Sequence, residues 1–416
     1  MSTPVLCVVR GAAESVVVRE IDAAAELELA RRCADVAELL AASAAGHGVV
    51  AVVSAGLAGV DLDAVRHLQS SGVWVVALTD DRAGWPAERV ARLGVDGVVD
   101  LEAAGEQIVP ALMATQHRGH SPGSRVGPVL TPPAVPAVTV PVRAPGAVVA
   151  VWGPTGAPGR STIAMTLAAE LASLAQGGAL LVDADTYGGT VAPALGLLDE
   201  APGIAAACRA AAAGRLDPAA LAALTPVIEP GLRVLTGLSR ADRWPEVPAS
   251  GLEVLWAAAR RLVPWTVVDC GFAIERDELL SYDTRAPQRN AATLSALAAA
   301  DRVVVVGSGD ALGLPRLVRA LGELRELLPS ADPLVVVNRV RASSGGPRAQ
   351  QAVREALGRW AGVPEPYVVL EDRPACDAAV LTARLLRESA PGSVVRRVVA
   401  SLAGALLAEA PLGAAH

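Results

Sequence analysis

The sequence predicts an α/β protein of two domains, each a largely parallel sheet covered by helices, with a proline-rich connection between them. Three observations predict it. Short apolar runs alternate with segments whose apolar residues recur at helical spacing. Most of the runs in the second half are apolar on both faces, as strands covered on two sides must be. The alternation collapses once, between residues 115 and 145.

Residues 1–114 form the first predicted domain. The runs "VLCVV" (Val5–Val9), "VVAVVS" (Val49–Ser54), "VWVVALTD" (Val73–Asp80) and "VDGVVD" (Val95–Asp100) read as strands. Between them, Asp22–Ser43 and Asp61–Gly72 carry helical periodicity. Residues 115–145 read as an extended linker, because proline removes backbone donors and fixes φ. Residues 146–410 resume the alternation, with strands expected at Ala147–Trp152, Ala179–Asp185, Leu232–Gly237, Trp265–Cys270, Arg302–Ser308, Leu334–Val340 and Tyr367–Leu370. Residues 411–416 are left as a tail.

Composition narrows the chemistry. A length of 416 residues supports two or three independent cores. The formal net charge of -7 argues against nucleic acid as the default partner. All 36 basic residues are arginine, so no lysine exists to form a Schiff base. The five cysteines are scattered and odd in number, which fits a reducing compartment better than a disulfide framework or zinc site. The N-terminal residues lack a secretory pattern and charge or glycine interrupts every apolar run, so a soluble, cytoplasmic protein is expected.

The chemistry-bearing stretch is "GPTGAPGRST", Gly153–Thr162, set between a predicted strand and an Ala/Leu-rich helix. Small residues there let backbone N–H groups converge on phosphate oxygens at a helix N-terminus. Against the pattern Gly-x-x-x-x-Gly-Lys-Ser/Thr, the last glycine is Gly159, the lysine position Arg160 and the magnesium hydroxyl Ser161. Pro154 replaces the first glycine, Gly153 sits one residue early, and Thr155, Gly156, Ala157 and Pro158 fill the span. Two later strands end in carboxylates: "LLVDAD" in Asp183 and Asp185, and "WTVVDC" in Asp269. Such carboxylates suit magnesium and a hydrolytic water, although each aspartate alone would equally suit a turn or cap.

Together with "AADRVVVVGSGDALGLPRLVRAL" and "LVVVNRV", these motifs resemble the MinD/ParA-type P-loop ATPases, closest to the CpaE/TadZ-like branch associated with pilus assembly and septum-site determination. The resemblance covers Gly146 to about Ala408 and implies a P-loop NTPase domain. It implies ATP or ADP with Mg2+, Ser161 and Asp269 on the magnesium side, Asp185 as the water-orienting carboxylate, and Asp183 in support. Asn338, with Arg339 beside it, takes the adenine-recognising position; a strand-end turn former is the other reading. The family's loop carries two lysines, one reaching across a sandwich homodimer; here those positions hold Thr155 and Arg160. Arg285 and Arg289, in a segment the family turns toward the partner, are candidate substitutes or plain surface arginines.

Arginine keeps the charge needed to bind phosphate, but a guanidinium is wider than an ammonium. The expectation is a slow or absent ATPase acting as a nucleotide switch for a pilus or division apparatus. A nucleotide-independent scaffold and a DNA partition ATPase are the alternatives.

The first domain resembles a receiver (CheY-like) domain, the arrangement CpaE/TadZ-like proteins place before their ATPase domain. It offers "RGAAE", Ser54 and "DLE" where receivers carry their acidic pair, phosphorylated Asp and Lys, and only Thr79 matches. That pattern implies docking without phosphotransfer. At the other end, Ser393–Ala410 is a core-packing helix or, by analogy with the family, a peripheral membrane contact at the inner face or a pole.

Overall fold

The computed structural model describes residues 2–116, 144–197, 202–276, 287–346 and 348–409. Two compact units divide the chain, one in its first 140 residues and the other in most of the remainder. Most of the expected linker and the whole 411–416 tail lie outside the described residues.

The first unit alternates β1 (Thr3–Val8), α1 (Ala12–Ala23), β2 (Leu27–Arg32), α2 (Val36–Ala44), β3 (Val50–Ser54), α3 (Leu62–Ser70), β4 (Trp74–Thr79), α4 (Ala87–Ala91), β5 (Gly97–Asp100) and α5 (Ala104–Gln116). All its strand pairs are parallel, in the order 2-1-3-4-5, a common doubly wound arrangement. Along β1, Leu6 and Val8 feed one core and Val5 and Cys7 the other, so the period-2 alternation serves two buried faces. Helix α5 runs to Gln116, two residues beyond the expected boundary.

One expectation is overturned here. Asp22–Ser43 is not a single helix: α1 ends at Ala23, β2 pairs with β1 as an edge strand, and α2 starts only at Val36. Local propensity in "LELARR" favours helix, but the open edge of β1 supplies backbone partners that outweigh it. The restart is marked chemically: the Asp35 carboxylate accepts from Glu38 N (2.8 Å), and the Glu38 carboxylate accepts from Ala34 N (2.8 Å).

The second unit holds β6 (Ala147–Trp152), α6 (Arg160–Leu174), β7 (Ala179–Ala184), β8 (Val227–Glu229), β9 (Leu232–Leu235), β10 (Trp265–Cys270), β11 (Arg302–Ser308), β12 (Leu334–Val340) and β13 (Tyr367–Leu370). The sheet order is 13-12-11-6-10-7-9-8, parallel except for β8, a three-residue edge strand absent from the sequence expectations. The strand bounds expected from the apolar runs agree at β6, β10, β11, β12 and β13. Helices cover both faces, including Gly203–Ala212, Ala249–Leu262, Ala291–Ala299, Gly313–Leu327, Ala349–Ala361, Arg373–Leu381 and Val394–Glu409.

Helix α6 is central. Its Ile163, Ala164, Leu167, Ala168 and Leu171 are buried, and small side chains let the sheet and the last helix approach it closely. The last helix, Val394–Glu409, buries Val395, Val399, Leu402 and Leu406 in that same core. Its apolar stripe is therefore used internally, as the core-packing alternative expects. Among the described residues, no helix is long and apolar enough to cross a membrane. Arg396 of this helix grips Glu170 of α6 through Nε to Oε1 (2.7 Å) and Nη2 to Oε2 (3.2 Å). Arg396→Ala would strand a buried carboxylate, with an expected cost of about 2 kcal/mol, below the roughly 3–5 kcal/mol of fully enclosed pairs because water reaches the arginine. Thermal or urea denaturation of the variant checks this.

Candidate functional site

The phosphate-loop residues follow the carboxyl end of β6, the three aspartates lie at or just past those of β7 and β10, and Asn338 and Arg339 lie near that of β12. After β6 the chain turns through Pro154–Ala157, closed by Ala157 N–H donating to Pro154 O (3.1 Å), with Gly156 at φ 73°. That positive φ at the third turn position is one only glycine adopts without strain. Gly153 passes against the Val306 carbonyl of β11, where a Cβ would collide. Gly159, at φ 87°, hands the chain to α6 and offers no side-chain cap. The first-turn N–H groups of α6, through Ser161 and Thr162, thus face the loop's hollow without intrahelical acceptors. The local sequence builds an anion cradle, and its exposed tip is Thr155–Gly156.

Arg160 opens α6 and folds back into that hollow. Its Nη1 donates to Gly153 O (3.1 Å) and Pro154 O (3.4 Å), and Nη2 pairs with Asp185 Oδ2 (3.4 Å). Nε is buried without a partner. The guanidinium is thus held by two neutral loop carbonyls and one carboxylate.

The aspartates stand where expected. Asp183 and Asp269 are register partners on the adjacent strands β7 and β10, both almost wholly buried. Asp183 accepts from Asp185 N (3.2 Å) and Val191 N (3.1 Å), and Gly189 and Gly237 approach its carboxylate too closely to carry side chains. Asp185 accepts from Tyr187 N (2.9 Å) and Gly188 N (3.2 Å). By hydrogen-bond geometry neither oxygen of Asp269 has a partner, although the Ser161 hydroxyl lies near enough to act on it. Burial pushes the carboxyls of Asp183 and Asp269 well above the usual carboxylate range, Asp183 further because of the Asp269 charge. The Ser161 hydroxyl and the Arg160 guanidinium pull Asp269 the other way. An orphaned, fully buried carboxylate beside a hydroxyl at an anion cradle is a donor set in want of a cation. Among the described residues, no three His, Cys, Asp or Glu side chains could hold a metal by themselves. Magnesium suits this arrangement, since it is usually held by one or two carboxylates plus waters and phosphates.

On the opposite side of the loop, a cleft of about 240 Å3 is lined by Gly159, Thr162, Asn338, Arg339, Glu371 and Cys376, among others. Asn338 is buried, and its Nδ2 donates to Pro158 O (2.9 Å). It braces the loop while bordering the cleft, a bracing role that the sequence did not reveal. Arg339 holds φ 55°, an uncommon left-handed conformation for a non-glycine residue, on the cleft wall.

Arg289 is not available as a free cation. It donates to Thr186 Oγ1 (2.7 Å) and Thr186 O (3.1 Å), and stacks 3.7 Å from the Tyr187 ring centroid. Arg285 lies outside the described residues. Sequence reasoning missed Tyr187, which packs on Phe272 and donates its hydroxyl to Asn290 Oδ1 (2.8 Å), tying the Asp185 turn to the segment before Ala291. The signal was present in "DADTYGG", where an aromatic follows the second aspartate in a chain with only three tyrosines and one phenylalanine. It also missed Arg316, whose guanidinium lies against Gly156.

No family model and no curated protein matches this chain. Among solved structures, the ParA family ATPase of Chlorobium tepidum matches 62% of this chain and 98% of its own at 18% identity and a TM-score of 0.50. The septum site-determining protein MinD of Pyrococcus horikoshii, complexed with Mg-ADP, matches 64% of this chain and 98% of its own at 16% identity and TM-score 0.48. The cell division ATPase MinD of Pyrococcus furiosus matches 64% of this chain and 100% of its own at 18% identity and TM-score 0.48. The first of these likenesses shows that the chain contains the fold of a ParA-type ATPase.

Proposed function

We propose that this protein is a nucleotide-dependent switch of the MinD/ParA type, of the CpaE/TadZ-like branch, that binds ATP with Mg2+ and hydrolyses it slowly or not at all. The observation that carries the proposal is the partnerless buried Asp269 carboxylate beside Ser161 and the open N-terminus of α6. Two separate strand ends, those of β6 and β10, contribute to that one point, and Asp183 and Asp185 close β7 beside them, which a purely structural turn would not require.

In this reading Gly153–Gly159 and the α6 N–H groups receive the phosphates, and Arg160 leaves the Gly153 and Pro154 carbonyls for phosphate oxygens. Asp185, released from Arg160, is then placed to orient a water, and Asp183 fixes the backbone of Asp185. Ser161 and Asp269 would hold magnesium, whose charge neutralises the β- and γ-phosphates. In this reading the cleft beside Asn338 and Arg339 receives the adenine. A guanidinium is wider than the ammonium usual at this position and misplaces the phosphate that it grips, which is why turnover is slow.

Dimerisation across the nucleotide face, and the placing of a pilus-assembly or division apparatus, belong to the same reading. The first unit then acts as a receiver-like docking module. The end of β3, where a receiver carries its phosphorylated Asp, holds Ser54, and Thr79 at the end of β4 is buried with its hydroxyl directed to Val99 O (3.4 Å). The scaffold alternative rests on Arg160 filling its own cradle; DNA partition gains nothing from the net charge. Calorimetry with ATP on the whole chain, with magnesium and with EDTA, tests the proposal. Magnesium-dependent binding with turnover far below that of vigorous P-loop ATPases is expected, and no binding under either condition overturns it.

A further inference from the structure

We propose that Arg316 is the second cation of the phosphate cradle, contacting the polyphosphate chain of a bound nucleotide from the rim opposite Arg160. The inference rests on the nucleotide reading above. It starts from sheet order: β11 lies beside β6, so the segment leaving β11 stands next to the loop leaving β6. That segment is rigidly placed. The Asp310 carboxylate accepts from Leu312 N (3.0 Å) and Gly313 N (2.8 Å), fixing the start of the helix Gly313–Leu327. Gly313 leaves no room for a Cβ against Ser308, and Leu317 is fully buried over Gly307.

Arg316, between those anchors, extends to Gly156 so closely that a side chain there would collide with its Nη1. The residue is exposed, and among the described residues no carboxylate or carbonyl is recorded as its partner. Charge arithmetic gives it a purpose. A nucleoside triphosphate brings about four negative charges; a magnesium ion would offset two of them and the backbone N–H groups at a helix start about half of one, which leaves about one and a half for side chains. Arg160 is the cation inside the loop, and the chain has no lysine to add a second. Arg289, the other candidate, is held on Thr186 and Tyr187. An arginine poised over the loop's exposed tip supplies that second positive charge.

The test is calorimetry with Mg-ATP on the full chain and on Arg316→Gln, Arg316→Lys and, one turn further along the same helix, Arg319→Gln. Arg316→Gln is expected to weaken binding about tenfold or more, with an unchanged melting temperature. Arg316→Lys should recover most of the loss, and Arg319→Gln should bind like the parent. Parent-like affinity in Arg316→Gln overturns the proposal while leaving the nucleotide reading intact. Failure of lysine to restore affinity, or an equal loss in Arg319→Gln, also overturns it, because the effect would not be a positioned charge. If the parent itself binds no nucleotide, the nucleotide reading falls and this proposal with it.

Discussion

Asp269→Asn is expected to abolish the magnesium enhancement of ATP binding, lowering affinity in magnesium by about 100-fold, or ~2.7 kcal/mol. The same change should stabilise the nucleotide-free protein at alkaline pH. Burial raises the Asp269 carboxyl, so the fold holds that proton more tightly than the unfolded chain does. The resulting stability is fully present below the ordinary carboxylate range, about 4, and is lost as pH rises through the elevated folded value. Above it the parent carries a buried charge, and the asparagine variant does not. Melting temperatures across pH 4–9 should therefore fall less steeply in the variant. Asp183 contributes in the same direction, and part of its elevation comes from the Asp269 charge, so it should also relax. Equal pH slopes in parent and variant would contradict this account.

Arg160→Ala is expected to weaken Mg-ATP binding by on the order of 100-fold. Two charge-assisted hydrogen bonds to phosphate, each worth roughly 1.5–3 kcal/mol, supply that magnitude. Calorimetry would show it directly. Unchanged affinity would mean that the loop carries no phosphate, and tighter binding would mean that the guanidinium is a plug. Stability should change less, because the Asp185 carboxylate that Arg160 leaves behind still accepts from Tyr187 N and Gly188 N, and Pro154 adjoins the solvent-exposed tip of the loop.

Much of this site was legible because its residues punctuate apolar runs. Asp183, Asp185, Asp269 and Asn338 each close or follow a hydrophobic strand, and a buried parallel strand must carry its polar chemistry at its end. The loop was legible from glycine and proline. What escaped depends on which strands become neighbours. Arg316 reaches the loop only because β11 pairs with β6, although about 150 residues separate them in the chain; sequence spacing holds no trace of that adjacency. Asn338 stands in the expected strand, but its grip on Pro158 depends on the close passage of Gly159, which only coordinates reveal. The β2 strand was hidden because edge pairing, not composition, decides its state.

The Glu170–Arg396 grip has a mechanical meaning beyond its stability. Helix α6 begins at the phosphate loop, and ten residues later the same helix is pinned to the final one by a two-point contact. Packed helices do not stretch, so any displacement of the cradle along the α6 axis must be shared by Val394–Glu409. The last helix thus touches both ends of that lever: Val395 borders the cleft beside Gly159, and Arg396 holds α6 at Glu170.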